Sequence, residues 1–476
     1  MLTSSLELNF LRFLTRNIPM SLEDVLFTPL YEDLPRDHFH RFLTGYFADQ
    51  ANDHIVHRGL YLHIPYCVNK CAYCHCQTWP GPDHPLSLND YVKRLKNEIA
   101  WIAPVTGGRG FSHLAFGGGT PSLLSEKQIQ GLFAAAEPHL NKNTRPPRIS
   151  FEGNPGSLTT PKLELLRKLG VQRLSIGVQT LNDRTLNLVG RHQSSEDVTR
   201  CINDVKALGF PFLNIDLLAG LPGQTSQEFL DDLARIVSFR PEIIHLNGLS
   251  DIAGTALNAN RPFNTASFFQ RRQKMLLQGK TFLSEHGYKQ QGSSAFAIAQ
   301  DGEDYDRLFY TDRPGAVIGL GAFARSSLPG GGLFESLLSG KSVNAFAYRG
   351  QKISRKQSMA KMIVINIING MDIDRLGTLF NEDARAVFAE EIKALTQRGM
   401  VAEKAGCWIY PGEHSFKGLF DLHSHLKILF GKEVLELLWR KYRKAYSASE
   451  NYLDAPHLAW AIQNQWFTNS YYGLGW

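Results

Sequence analysis

The 476-residue chain is short of several features that would place it in other classes. It has only six cysteines, and in a chain this long with no secretion signal disulfides among them are not expected. No run of about 18 apolar residues appears, so no membrane-spanning helix is expected. The start, Met1-Leu-Thr-Ser-Ser-Leu-Glu, lacks the basic-then-apolar order of a signal peptide, and a cytoplasmic location is the expectation. Charge of one sign is also scarce: 51 basic residues stand against 45 acidic ones, a scattered excess of +6. That is no footprint for nucleic acid, though it would tolerate a polycarboxylate. The most basic run, Arg440-Lys-Tyr-Arg-Lys444, reads as a solvated helix face. What remains is an ordinary globular composition, 43% hydrophobic and 20% charged, long enough for two or more domains.

Four of the six cysteines fall between residues 67 and 76. Cys67, Cys71 and Cys74 have the spacing Cys-x-x-x-Cys-x-x-Cys, a loop tight enough to aim three thiolates at one small inorganic body. Thiolates are the ligands of iron–sulfur clusters, and a 4Fe–4S cube normally takes four. Three would leave one iron open for another ligand. A structural zinc site could draw on His63, His75 and Cys76, but its usual second pair at a distance is missing. Cys201 and Cys407 read as buried apolar residues rather than ligands.

From about residue 56 strands and helices alternate. Strands are predicted at 59–65, 112–116, 148–152, 173–178, 212–218 and 243–249. Helices are predicted at 88–102, 125–136, 160–169, 195–208 and 226–237. Ser125-Glu-Lys-Gln128 is a capping-box pattern, Pro161 marks a helix start, and Gly170 and Gly209 mark ends. Alternation predicts a parallel sheet with helices outside, and six such units fit a partial (β/α)6 TIM-like barrel. The fold class is therefore α/β, with a helical extension at 1–55, the barrel and its cover at 56–330, and a small α+β winged-helix-like unit at 331–415. An aromatic helical tail follows at 416–476. Within the cover, residues 256–354 read as Gly-rich and irregular, with Leu328-Pro-Gly-Gly-Gly-Leu333 as a loop.

In such barrels the chemistry sits at the carboxyl ends of the strands, and the unusual residues fall there. After the first strand comes the cysteine loop. After the second comes Gly117-Gly118-Gly119-Thr120, which is by itself a turn but would also let backbone amides approach a ligand. Glu152 ends the third strand and needs partners if buried. Gln179 ends the fourth, with Arg191 beyond it. Asp216 interrupts the apolar fifth strand, suiting either a ligand or a buried ion pair. His63, His75 and His192 are as well explained by structure as by acid–base or axial-ligand roles.

The stretch Tyr61-Leu-His-Ile-Pro-Tyr-Cys67, followed by Cys71, Tyr73, Cys74 and Cys76, resembles the radical S-adenosylmethionine (SAM) superfamily. Within it, the likeness is to the oxygen-independent coproporphyrinogen III oxidase-like family, covering roughly residues 56–415. The resemblance implies a 4Fe–4S cluster on Cys67, Cys71 and Cys74, with Cys76 outside the ligand set. It implies one or two SAM molecules contacted by Tyr61, Tyr73, Gly118, Gly119, Thr120, Glu152, Gln179, Arg191, Asp216 and Ala322. Ala322 comes from Gly319-Leu-Gly-Ala-Phe-Ala-Arg325, where the family packs adenine. Tyr73, Glu152 and Gln179 are the candidate catalytic residues. The implied chemistry is reductive cleavage of SAM to a 5′-deoxyadenosyl radical that takes hydrogen from substrate. A flavodoxin- or ferredoxin-type donor would supply the electron. Three substrate readings stay open. One is a tetrapyrrole, either coproporphyrinogen III decarboxylated or haem opened. Another is a carbon methylated or cyclopropanated by a second SAM. The third is haem held by a non-catalytic chaperone. Cys76 argues against the chaperone branch. The sequence Glu152-Gly-Asn-Pro, the unmatched lead-in and the extra tail argue against a plain oxidase.

Overall fold

A computed structural model describes residues 32–412 except 53–54, 56, 75, 83, 142–145, 250–254, 258–265, 291–293, 299–314, 339–345 and 368–369, together with Leu426 and Leu429. The first part of the expected helical extension, His75 and nearly all of the aromatic tail lie outside the described residues.

The chain enters through β1 (Glu32–Leu34) and α1 (Arg36–Ala48), which Pro35 precedes at the cap position. Strand β2 (Arg58–Ile64) then opens the alternation, followed by α2 (Leu88–Ile102), β3 (His113–Gly118) and α3 (Glu126–Ala136). It continues through β4 (Arg148–Gly153), α4 (Thr160–Lys168), β5 (Arg173–Gln179), α5 (Asp183–Leu188) and α6 (Ser195–Ala207). It ends with β6 (Phe212–Ala219), α7 (Ser226–Ser238) and β7 (Ile243–Gly248). Each expected strand is present within two residues of its predicted bounds. Strands β2 to β7 pair in chain order, all parallel. They are buried on both faces, as a parallel sheet wrapped in helices must be. The helices turn one apolar stripe inward. In α7 that stripe is Phe229, Leu233 and Ile236, at helical spacing, and the helix starts on a Thr225–Glu228 capping box.

Where it is described, the stretch expected to be irregular carries regular elements. It carries the 20-residue helix α8 (Ala266–Glu285) and strands β8 (Lys289–Gln290), β9 (Ala295–Ala297), β10 (Ala316–Leu320), β11 (Arg325–Leu328), β12 (Gly332–Leu338) and β13 (Phe346–Lys352). Among the described residues these form one 13-stranded sheet in the order β1-β13-β12-β11-β10-β2-β3-β4-β5-β6-β7-β9-β8, with no pairing that closes its two edges. Strand β10 runs parallel to β2, and β11 to β13 continue antiparallel. Strands β12 and β13 lie in the main sheet, so the cover extends past residue 331.

One buried carboxylate fastens this cover to the barrel. Glu98 of α2 accepts hydrogen bonds from Gly321 N (3.0 Å), Ser336 Oγ (3.2 Å) and Tyr348 Oη (2.7 Å). Beyond the sheet, α9 (Arg355–Asn366), α10 (Ile373–Phe380), α11 (Ala389–Gln397) and the hairpin Ala402–Lys404/Cys407–Ile409 form a separate small core around Ile363, Leu376, Phe388 and Trp408. The three helices precede the hairpin in chain order. No helix of the described residues is long and apolar enough to cross a membrane.

Candidate active site at the carboxyl ends of the strands

The cysteine loop leaves β2 and is pinned at several points. Residues Tyr66–Cys67 pair with Trp79–Pro80, and Tyr66 Oη donates to the Leu86 carbonyl at 2.8 Å. Ala72 N donates to Val189 O beyond α5 (2.8 Å), and Cys74 N donates to Cys71 O (2.9 Å). The loop borders a cavity of about 460 Å³ whose wall includes Cys67, Cys71, Cys74 and Cys76. The opposite wall comes from the ends of β3 to β6: Gly118, Gly119, Thr120, Glu152, Ser175, Gln179 and Asp216, with Arg191 and His192 from the segment after α5.

The glycine run is required by close packing. A Cβ on Gly117 would lie 2.7 Å from Glu152 Oε1, one on Gly118 2.8 Å from the His63 ring, and one on Gly119 2.9 Å from Cys67 Sγ. Gly118 also has φ +111°, a backbone state that disfavours side chains. Gln179 lies in the left-handed region at φ 70°, where the β5–β6 register is irregular. A non-glycine residue held there is costly and is typical of functional sites.

Arg191 reaches across the cavity wall. Its Nη1 donates to Tyr73 Oη (3.2 Å) and to Cys71 Sγ (3.7 Å), its Nε donates to Gln193 Oε1 (2.9 Å), and its Nη2 donates to the Gly177 carbonyl. Cys67 Sγ meets Thr120 Oγ1 at 3.5 Å. Burial pushes the Cys67 thiol up to about 11 and raises Cys74 as well, so a thiolate form needs a cation to hold it. Burial first, and Asp216 second, push Glu152 up to about 8, against the pull of Arg173 and the Gly118 amide. Burial raises the Tyr73 hydroxyl too, so it keeps its proton.

Most of the residues singled out from the sequence thus line one cavity. Two do not. Tyr61 stays on β2, its Oη 3.3 Å from His63 Nδ1. Ala322 is fully buried, its N–H donating to Tyr91 Oη at 3.0 Å. The sequence reading missed a polar network beneath the cavity floor. Asn214 Nδ2 donates to Ser175 Oγ (2.7 Å) and Asp216 Oδ1 (2.9 Å), Asn214 Oδ1 meets His245 Nδ1 (2.8 Å), and His245 lies 3.2 Å from Asp216. Its signal was available, since Ser175, Asn214 and His245 are polar residues inside otherwise apolar strands.

A parallel α/β sheet carrying three cysteines and a glycine run at its strand ends defines the class, and comparison with known proteins agrees. The family model described as the Radical SAM superfamily matches residues 61–236. The chain is 33% identical over 245 residues to the oxygen-independent coproporphyrinogen III oxidase of Escherichia coli (strain K12), covering 51% of this chain and 53% of that protein. It is 30% identical over 282 residues to the heme chaperone HemW of the same organism, covering 58% of this chain and 72% of that one. It resembles the solved structure of coproporphyrinogen III oxidase (HemN) from Escherichia coli with a TM-score of 0.68 at 23% identity, over 84% of this chain and 95% of that one. The chain belongs to the radical SAM superfamily, in the group that includes these oxidases and haem chaperones. The matched sequence spans about half the length of the oxidases.

Membership implies a 4Fe–4S cluster and SAM, and the residues present fit them. Cys67, Cys71 and Cys74 all border one cavity, and thiolates are the ligands that iron–sulfur clusters take. The cavity, at about 460 Å³, is also of the size that takes a small organic ligand.

Proposed function

We propose that this chain is a radical SAM enzyme acting on a tetrapyrrole, by oxidative decarboxylation of a coproporphyrinogen or by opening of haem. One observation carries the reading: three family-matched cysteines share a cavity with Glu152, Gln179, Arg191 and Asp216. Cys67, Cys71 and Cys74 would hold the cluster, leaving Cys76 free of it. When bound, the cluster and SAM together supply one-electron bond cleavage and a carbon radical able to take hydrogen from substrate.

The chain's own share is binding and orientation. Gly118, Gly119 and Thr120 line the cavity, where their backbone can approach the ligand. Glu152 and Asp216 present carboxyl oxygens to ligand hydroxyls. Gln179, aimed by its left-handed backbone, offers an amide. Arg191 brings a fixed positive charge beside Cys71 and Tyr73, where it can meet a ligand carboxylate. A flavodoxin- or ferredoxin-type protein would deliver the electron.

The test uses the full chain, loaded anaerobically with iron and sulfide and given a reductant, SAM and coproporphyrinogen III. Mass spectrometry should find 5′-deoxyadenosine and, with an electron acceptor present, product lighter by one carbon dioxide and two hydrogens per propionate, one hydrogen passing to 5′-deoxyadenosine and the other leaving as a proton with an electron to the acceptor; with haem, an opened ring. The Cys71→Ala variant should make neither. No SAM cleavage by the loaded chain, or cleavage by Cys71→Ala, would overturn the reading. Haem binding without turnover would replace it with the chaperone function. Methylated product with S-adenosylhomocysteine would replace it with methyl transfer.

A further inference from the structure

A line of side-chain hydrogen bonds runs behind the cavity wall and converges on Gln193, which does not itself line the cavity. Gln193 Oε1 accepts from Arg191 Nε at 2.9 Å and from Asn154 Nδ2 at 3.1 Å. Gln193 Nε2 donates to the Val178 carbonyl at 2.7 Å, one residue before the irregular end of β5. Asn154 is held in turn, its backbone N–H on Ser122 Oγ at 3.0 Å and its Oδ1 accepting from Gly156 N at 2.9 Å. Ser122 Oγ pairs with Ser157 Oγ at 2.6 Å. The Gln193 amide therefore joins Arg191, the turn after β4 and the end of β5, and Asn154 carries the link on to Ser122 after β3.

The orientation of that amide is not arbitrary. Its oxygen faces two N–H donors and its nitrogen faces a carbonyl; turning it over would set donors against donors and an acceptor against an acceptor. Arg191 gains most from this. Its side chain is long and otherwise rich in rotamers. With Nε on Gln193 and Nη2 on Gly177, its inner edge is satisfied from behind and Nη1 is left toward Cys71 and Tyr73.

We infer that Gln193 is a positioning residue. It sets the direction of the Arg191 guanidinium, so that a carboxylate-bearing ligand entering the cavity meets it already aligned. The ligand's identity rests on the function proposed above; the clamp itself does not. Gln193→Met keeps the length of the side chain and removes both polar ends. Gln193→Glu keeps an oxygen for Arg191 Nε and Asn154 Nδ2, and when its carboxyl is protonated the second oxygen can still donate to the Val178 carbonyl, so this variant is measured at a pH low enough to keep that proton.

The experiment has two arms on the full-length chain. Before cluster loading, nitrogen-15 spectra of arginine side chains report the Arg191 Nε–H, assigned by its loss in Arg191→Lys. Its hydrogen exchange should be slow in the parent, about tenfold faster in Gln193→Met and slow again in Gln193→Glu. After loading, the dissociation constant for SAM should rise about tenfold in Gln193→Met, with turnover at saturating SAM within about twofold, and Gln193→Glu should restore the affinity. Unchanged exchange in Gln193→Met, or Gln193→Glu as impaired as Gln193→Met in both arms, would overturn the inference. Failure of the parent to bind SAM would sink the proposed function instead, and the exchange measurement would still decide the clamp.

Discussion

Replacing Glu152 by glutamine removes a proton-binding group that the fold holds in an unusual state. The carboxyl sits at the end of β4, half-buried in the cavity wall, and burial together with Asp216 lifts it from 4.5 to about 8. A carboxyl raised in this way binds its proton more tightly folded than unfolded. Its contribution to stability is fully present below about 4.5 and is lost as pH rises toward about 8. Each tenfold change in proton affinity is about 1.4 kcal/mol, which sets an upper bound on the order of 5 kcal/mol for ionising it in the fold. Water reaching the cavity screens part of this, leaving a loss on the order of 2–3 kcal/mol. Glutamine keeps the shape and never ionises. The stability of Glu152→Gln relative to the parent should therefore be near zero at about pH 5 and grow by about 2–3 kcal/mol toward pH 9. Urea unfolding of the full chain before cluster loading, run for both proteins across that range, measures the difference, and shared titrating groups cancel. Isotope-edited infrared spectra should show a protonated carboxyl band that fades near pH 8 and is missing from the variant. A difference flat in pH, or one that favours the parent at high pH, would refute the assignment of burial and Asp216 as the causes.

Cys71→Ser should lower bound iron after anaerobic loading and abolish the charge-transfer absorption of the cluster, with the melting temperature of the unloaded chain close to the parent's. Gly119→Ala puts a methyl 2.7 Å from Tyr66 O and 2.9 Å from Cys67 Sγ. It should cost about 1–3 kcal/mol in urea unfolding and reduce iron loading, because backbone must move to admit the methyl. Asn214→Leu strips partners from Ser175, Asp216 and His245 at once. A destabilisation of about 2–4 kcal/mol is expected by the same assay, and a loss under about 0.5 kcal/mol would show that water replaces the amide.

The barrel was legible because its signals are local. Apolar strands such as Phe212–Ala219 and capped amphipathic helices such as Ser226–Ser238 carry their period and punctuation in a dozen residues. Helix α8 was not legible, since the glycine within it reads as irregular chain. Gly279 is there because a Cβ would lie 3.0 Å from both Leu246 and Phe229, so the helix can approach the barrel closely only without one. Strands β10 to β13 were hidden for a different reason. The glycines around 330–332 that read as a loop are the turn between β11 and β12, and the run is fixed in the sheet by pairings of β10 with β2 and β13 with β1, which join distant segments.

The cysteine spacing, the glycine run and the strand–helix rhythm were decided by residue type and order alone, because each is a property of neighbours along the chain. Which side chains face one another was decided only when the strand ends came together. Asp216 raises Glu152 across the sheet, Asn154 and Gln193 meet from segments 39 residues apart, and Ala322 turns to Tyr91 rather than to the cavity. Contacts of that kind depend on register and depth in a shared wall, and a linear chain carries no period that records them.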